Sequence, residues 1–196
     1  MVETITPVVH GGRKKRYWTS VALHALGATV AAATFGLLLG GIGVLLRAPW
    51  GRLGAMVVAV VATMYVVREA FGLRIPLPER HEQVPQWWRD FFSAPVSSFL
   101  YGAGLGIGFF TFLQFGTYVA VAVAAFLSGD PVIGLLICLP FGLTRGLTVV
   151  LTAKATEPED VSGLVDILDG WGSTRWPRLA NALALGCVAT AAFLAI

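Results

Sequence analysis

VSSFLYGAGLGIGFFTFLQFGTYVAVAVAAFL, residues 96–127, is the stretch on which the fold turns. As one straight helix these 32 residues would extend about 48 Å, against a bilayer hydrocarbon core of about 30 Å. A polar cluster, Thr111, Gln114, Gly116, Thr117 and Tyr118, falls near the middle of the run. Excess length and polar cluster together predict a helix that breaks. Irregular backbone at bilayer depth is tolerated only where protein encloses it and supplies partners for the freed hydrogen-bonding groups.

Four glycines open the same stretch at every second position, Gly102, Gly104, Gly106 and Gly108. A dinucleotide loop needs G-x-G-x-x-G between a strand and a helix, so both the spacing and the lipid-length apolar context exclude that chemistry. The spacing does supply two overlaid small-xxx-small pairs, Gly102 with Gly106 and Gly104 with Gly108, which allow close approach of another helix. Gly36 with Gly40 and Gly142 with Gly146 repeat the device.

Working outward, the 196-residue chain is 56% hydrophobic and 13% charged, a balance that points to lipid as its main solvent. Apolar runs predict five crossings, near Val21–Leu46, Leu53–Val67, Val96–Leu127, Pro131–Ala153 and Pro177–Ile196. The second is short and is expected to continue as helix through Arg68 and Glu69 to the interface. The fold class is therefore all-α, a polytopic membrane helix bundle with a broken or kinked third span. Residues 1–20 form a basic cytoplasmic segment and residues 21–196 a single transmembrane domain, with cytoplasmic loops at about 68–95 and 154–176. The basic start followed by a long apolar run is expected to be a retained first span and not a cleaved signal peptide. Eleven basic residues, Arg13 to Arg16 among them, fall on one side of this layout and only Arg47 and Arg52 on the other. The positive-inside rule then sets the N-terminus in the cytoplasm and the C-terminus outside, in the inner (cytoplasmic) membrane. The net charge of +3 is an orientation signal on this reading, and nucleic-acid binding is not expected.

The two cytoplasmic loops differ in character. Pro76, Pro78, Pro85 and Pro95 block a long helix in the first, while Trp87, Trp88, Phe91 and Phe92 suit headgroup anchoring. In the second, Thr156 and Glu159 form a capping-box pattern, and Val161, Leu164, Val165 and Leu168 share one helical face opposite acidic residues. A short amphipathic helix over about 156–173 is expected, lying on the rest of the protein or offered to a protein partner.

The tract FLYGAGLGIGFFTFLQFGTYVAVAVAAFLSGDPVIGLLICLPFGL resembles the fourth and fifth helices of the CcdA/DsbD-type cytochrome c biogenesis transmembrane family, and RLGAMVVAVVATMYVVREAFGLRIPLPER resembles its third. The resemblance implies that family's transporter fold. Aligning Thr111 with the family's threonine places Phe112 where a proline is expected, Leu113 at the reactive cysteine and Gly116 at the second proline. The family's first helix also has no counterpart. Thiol exchange needs a thiolate, which Leu113 cannot provide, so the resemblance implies the fold without electron transfer. The function expected from it is movement of a small solute, or support of a redox or maturation system, at a substrate site of Thr111, Gln114, Gly116, Thr117, Tyr118 and Arg145. A non-transporting scaffold or assembly subunit is the alternative.

Arg145 is the one full charge well inside a span; it either reaches cytoplasmic headgroups or faces a polar site with Thr144, Thr148 or Gln114. Cys138 and Cys187 sit at similar estimated depths, and apolar surroundings favour two inert thiols over a redox pair. His24 has no second ligand at helical spacing and is expected to be packed or headgroup-facing. No nucleophile, base and orienter set is present, so no catalytic residues, metal or cofactor are expected.

Overall fold

The computed structural model describes residues 5–8, 10–11, 13–48, 51–77, 87–108 and 116–196. Among them the chain is all helical. α1 (Lys14–Leu45) and α2 (Arg52–Phe71) come first; α3 (Trp88–Phe91), α4 (Ala94–Ile107) and α5 (Thr117–Leu127) follow. α6 (Pro131–Leu147) continues into a 3-10 stretch (Thr148–Lys154), and α7 (Pro158–Ser173) and α8 (Trp176–Leu194) complete the chain. Four helical stretches, Lys14–Leu45, Arg52–Phe71, Pro131–Lys154 and Trp176–Leu194, are long and apolar enough to cross a bilayer. The remaining path is shared by the two shorter apolar helices α4 and α5.

The ends of these helices follow local chemistry. α2 stops at Gly72, whose left-handed backbone (φ 68) lets its N–H return to the Arg68 carbonyl. α6 begins at Asp130, whose carboxylate accepts from the N–H groups of Val132 (2.7 Å) and Ile133 (3.1 Å), with Pro131 pre-set for a first helical turn. α1 starts seven residues before the expected Val21, because the Lys and Arg of its first turn are good helix formers and project into water.

Packing centres on α1, which runs along both α4 and α6. Gly102 and Gly106 on α4 lie against the α1 carbonyls of His24 and Ala28, so that a methyl group at either would strike backbone. On the α6 side, Gly36 meets the Gly134 carbonyl, Gly40 meets the Asp130 carbonyl, and Gly142 sits on Ala28 and Ala32. The expected glycine pairs thus continue on α1 through alanines. In lipid, where burying apolar surface gives helices little reason to associate, such backbone proximity supplies dispersion and weak Cα–H contacts. A second group joins α2, α5 and α8 around Ala62, Tyr65, Ala120, Leu185 and Ala189.

The end of the bundle bearing the basic run is closed by the N-terminal segment. Thr152 donates its hydroxyl to the Ile5 carbonyl (2.7 Å) and lies 3.2 Å from the Tyr17 hydroxyl, while Ile5, Tyr17, Val21 and Val149 form a small core. Nothing in the sequence pattern had tied residues before Arg13 to the bundle.

α7 is the expected amphipathic helix with its cap moved by one residue. Glu157 is the N-cap and Asp160 its partner, in place of Thr156 and Glu159, because Pro158 is fixed at the first helical position. Asp160 accepts from the N–H groups of Thr156 (2.9 Å) and Glu157 (3.0 Å). These bonds, Glu157 first and then Thr156, hold its carboxyl below the usual carboxylate range. A depressed folded value means that the contribution is present above the unfolded pKa of about 3.9 and is lost as pH falls through the folded one. The protection of the first-turn amides of α7 against hydrogen exchange, relative to the unstructured chain at the same pH, is therefore expected to fall on acidification through that window, and Asp160→Asn to show reduced protection already at neutral pH.

Gly40 and Gly41 give a direct test of the α1 packing. Gly40 abuts Asp130 backbone whereas Gly41 has open space around it. Gly40→Val is expected to destabilise the bundle by about 1–3 kcal/mol through overpacking, and Gly41→Val to leave it nearly unchanged, as measured by denaturation in mixed micelles.

Candidate functional site

The interrupted span is the most polar part of the apolar bundle. α4 ends at Gly108, whose φ of 71 no β-carbon residue adopts readily, and helix resumes at Thr117 with Gly116 as its N-cap. α5 then stands in contact with α1, α2, α6 and α8. Its N-cap Gly116 and first two residues, Thr117 and Tyr118, face different neighbours.

Gly116 faces α2. Its Cα rests on the Tyr65 ring, and its N–H donates to Glu69 Oε1 at 3.4 Å. The same carboxylate oxygen receives Arg68 Nη1 at 2.7 Å, and the side chains of Arg68 and Glu69 are 19% and 3% exposed. Arg68 Nε donates to the Ile75 carbonyl (3.0 Å), and the Tyr65 hydroxyl to that of Pro76 (3.3 Å). One carboxylate therefore ties together the end of α2, the chain that leaves it and the start of α5.

Thr117 faces α8, where its hydroxyl donates to Asn181 Oδ1. Tyr118 faces α1 and α6. Its ring stacks on Phe35 with centroids 6.1 Å apart and leans on Phe141 at 5.7 Å. Its hydroxyl donates to the Ile107 carbonyl at 3.0 Å, serving one of the acceptors that the end of α4 leaves without a helical partner. Arg145 lies over the Phe141 ring, 5.4 Å from its centroid, a cation–π arrangement. Thr144 and Thr148 bond carbonyls of their own helix, at Pro140 and Arg145 respectively.

Of the six residues expected to line one site, Tyr118 and Arg145 thus share the Phe141 ring, while Gly116 and Thr117 turn toward other helices. Thr111 and Gln114 lie outside the described residues. Tyr65, Arg68, Glu69 and Asn181 were missed, although a carboxylate and an amide within or at the end of a span are themselves a signal of a polar cluster. His24 is fully buried, with Nδ1 3.2 Å from the Ser98 carbonyl on α4. Cys138 is buried against Gly36, and Cys187 is exposed on α8; both are free thiols.

No protein-family model matches the chain, and no solved structure does. Curated relatives do. The chain is similar to the methylamine utilization protein MauF. The protein of that name from Paracoccus versutus is 32% identical over 153 residues, 76% of this chain and 56% of the relative. Those from Paracoccus denitrificans and Methylophilus methylotrophus are each 30% identical, over 78% and 76% of this chain and 56% and 53% of their own lengths. The chain spans about half the length of these curated relatives.

This similarity corrects the sequence-based resemblance and the function drawn from it. Relatives named MauF replace the CcdA/DsbD-type family, and with that family go the reading as its solute transporter and that of a membrane subunit in cytochrome c-type redox maturation. The resemblance had rested on glycine-rich and alanine-rich spans, which backbone-close packing demands of any tightly packed membrane bundle.

Glu69→Ala is expected to cost about 3 kcal/mol, because Arg68 is left inside the bundle without its carboxylate. Joint replacement, Arg68→Leu with Glu69→Leu, is expected to recover most of that loss. Denaturant titration of both variants in micelles measures the difference.

Proposed function

We propose that the chain is a multi-pass membrane accessory protein of amine utilization, acting as a scaffold or assembly subunit. The observation that carries this reading is the similarity to MauF proteins over three quarters of the chain. The groups around the interrupted span support it. Gly116, Thr117 and Tyr118 bond across helices to Glu69, Asn181 and Ile107 respectively, with Arg68 pairing Glu69 within α2, as in a joint that fixes one helix among its neighbours. Gly116, Thr117, Tyr118 and Arg145 serve on this reading to set the position of α5.

The same proposal places the N-terminus in the cytoplasm of a cell with its chain in the cytoplasmic membrane, and the C-terminus outside, in line with the excess of Lys and Arg at one end. It also gives residues 156–173 the role of a docking helix for a protein partner at the cytoplasmic face. Among the described elements α7 packs on the 3-10 stretch and α8, and it leaves Ile167 and Trp171 exposed at 61% and 67%.

Deleting the gene from its host is expected to abolish disappearance of methylamine from the medium while growth on a nitrogen source such as ammonium continues. Consumption of methylamine at the wild-type rate would refute the proposal. Ile167→Ser with Trp171→Ser is expected to reproduce the deletion with protein levels in the membrane unchanged.

A further inference from the structure

We propose that α7 docks on a second copy of this chain, its acidic face set against the basic run Arg13–Arg16 of the other copy, and reciprocally. The inference rests on the reading of α7 as a docking helix and names its partner.

Charge is segregated at one end of the molecule. Residues 157–174 hold five of the chain's eleven acidic residues and no Lys or Arg, whereas Arg13, Lys14, Lys15 and Arg16 stand consecutively. Glu159, Asp166 and all four basic residues are exposed. Among the described residues the one ion pair is Arg68–Glu69, so neither patch is neutralised by the other within a single copy.

The two patches are nevertheless held at a common level. The Thr152 bond to Ile5 and its contact with Tyr17 fix the start of α1 to the 3-10 stretch from which α7 emerges. Opposite patches at one level of the molecule that form no ion pair with each other among the described residues suit an isologous two-fold contact. A rotation about the membrane normal brings each α7 to the other basic run and makes every charge pair twice. Both copies share one depth in the bilayer, which raises their effective concentration for this encounter.

Apolar groups sit where the charges would meet. Ile167 and Trp171 are exposed beside the acidic face, and Trp18, 50% exposed, lies two residues after Arg16. An indole next to Lys and Arg adds cation–π attraction to the ion pairs. Anionic lipid would be repelled by the acidic face and therefore fits the surface less well.

The test uses the whole chain, with Cys138→Ala and Cys187→Ala, in vesicles of zwitterionic lipid, with donor or acceptor dyes on a cysteine introduced at the exposed Leu46 between α1 and α2 and energy transfer as the readout. Wild-type copies are expected to associate, and Glu159→Lys with Asp166→Lys to weaken association about tenfold, the scale of a few exposed pairs acting together. Adding Lys14→Glu with Lys15→Glu to that variant is expected to restore it. Monomeric wild-type protein, or association unchanged by the α7 reversal, overturns the second-copy assignment. Energy transfer is read without any amine, so that outcome is distinct from failure of the accessory role, which methylamine consumption reports.

Discussion

Backbone-to-backbone contact along one stripe of α1 is the constraint on which the bundle depends. Gly36 and Gly40, with Ala28 and Ala32, allow α6 to approach until carbonyl oxygens occupy the space that side chains would need. Gly102 and Gly106 bring α4 equally close from another direction. Water cannot drive helices together inside a bilayer, so the closeness of the fit has to supply the attraction. With α4 and α6 both held to α1, the place of α5 beside them is narrowly set. α5 is short because it must start beside the end of α4 and finish where Asp130 begins α6.

That geometry explains why polar groups gather where they do. Ending a helix inside the bundle leaves carbonyls and N–H groups in need of partners. The Tyr118 hydroxyl serves the Ile107 carbonyl, and the Glu69 carboxylate receives the Gly116 N–H. Arg68 then balances the carboxylate. Each group answers a need created by the previous one, from the length of the apolar run to a buried ion pair on a different helix.

Much of this was legible in the residues. An apolar tract of 32 residues cannot stay straight across a bilayer, and the helix does end within it, at Gly108. Periodicity located α7, and the half-buried Val161, Leu164, Val165 and Leu168 form the anticipated face. What escaped depends on proximity between distant positions. Glu69 reads locally as the frayed end of a span; only the fold brings it 47 residues forward in sequence to Gly116. Likewise, the consecutive Gly116, Thr117 and Tyr118 looked like one lining, but adjacent residues on a helix point about 100° apart and so address separate neighbours. The family resemblance failed for a related reason, since composition describes how spans pack and not which lineage they come from.

The strap across the basic end also imposes an order of events on biosynthesis. Ile5 leaves the ribosome well ahead of the hydroxyl that secures it, which belongs to Thr152, 147 positions later. Its small core also waits for Val149. The opening segment must therefore remain unfastened while α1 to α6 are inserted, and its closure reports that the sixth helix has arrived with the right polarity. A chain in which the helix leading to Thr152 crossed in the opposite sense would carry that hydroxyl away from Ile5 and leave the strap without an anchor.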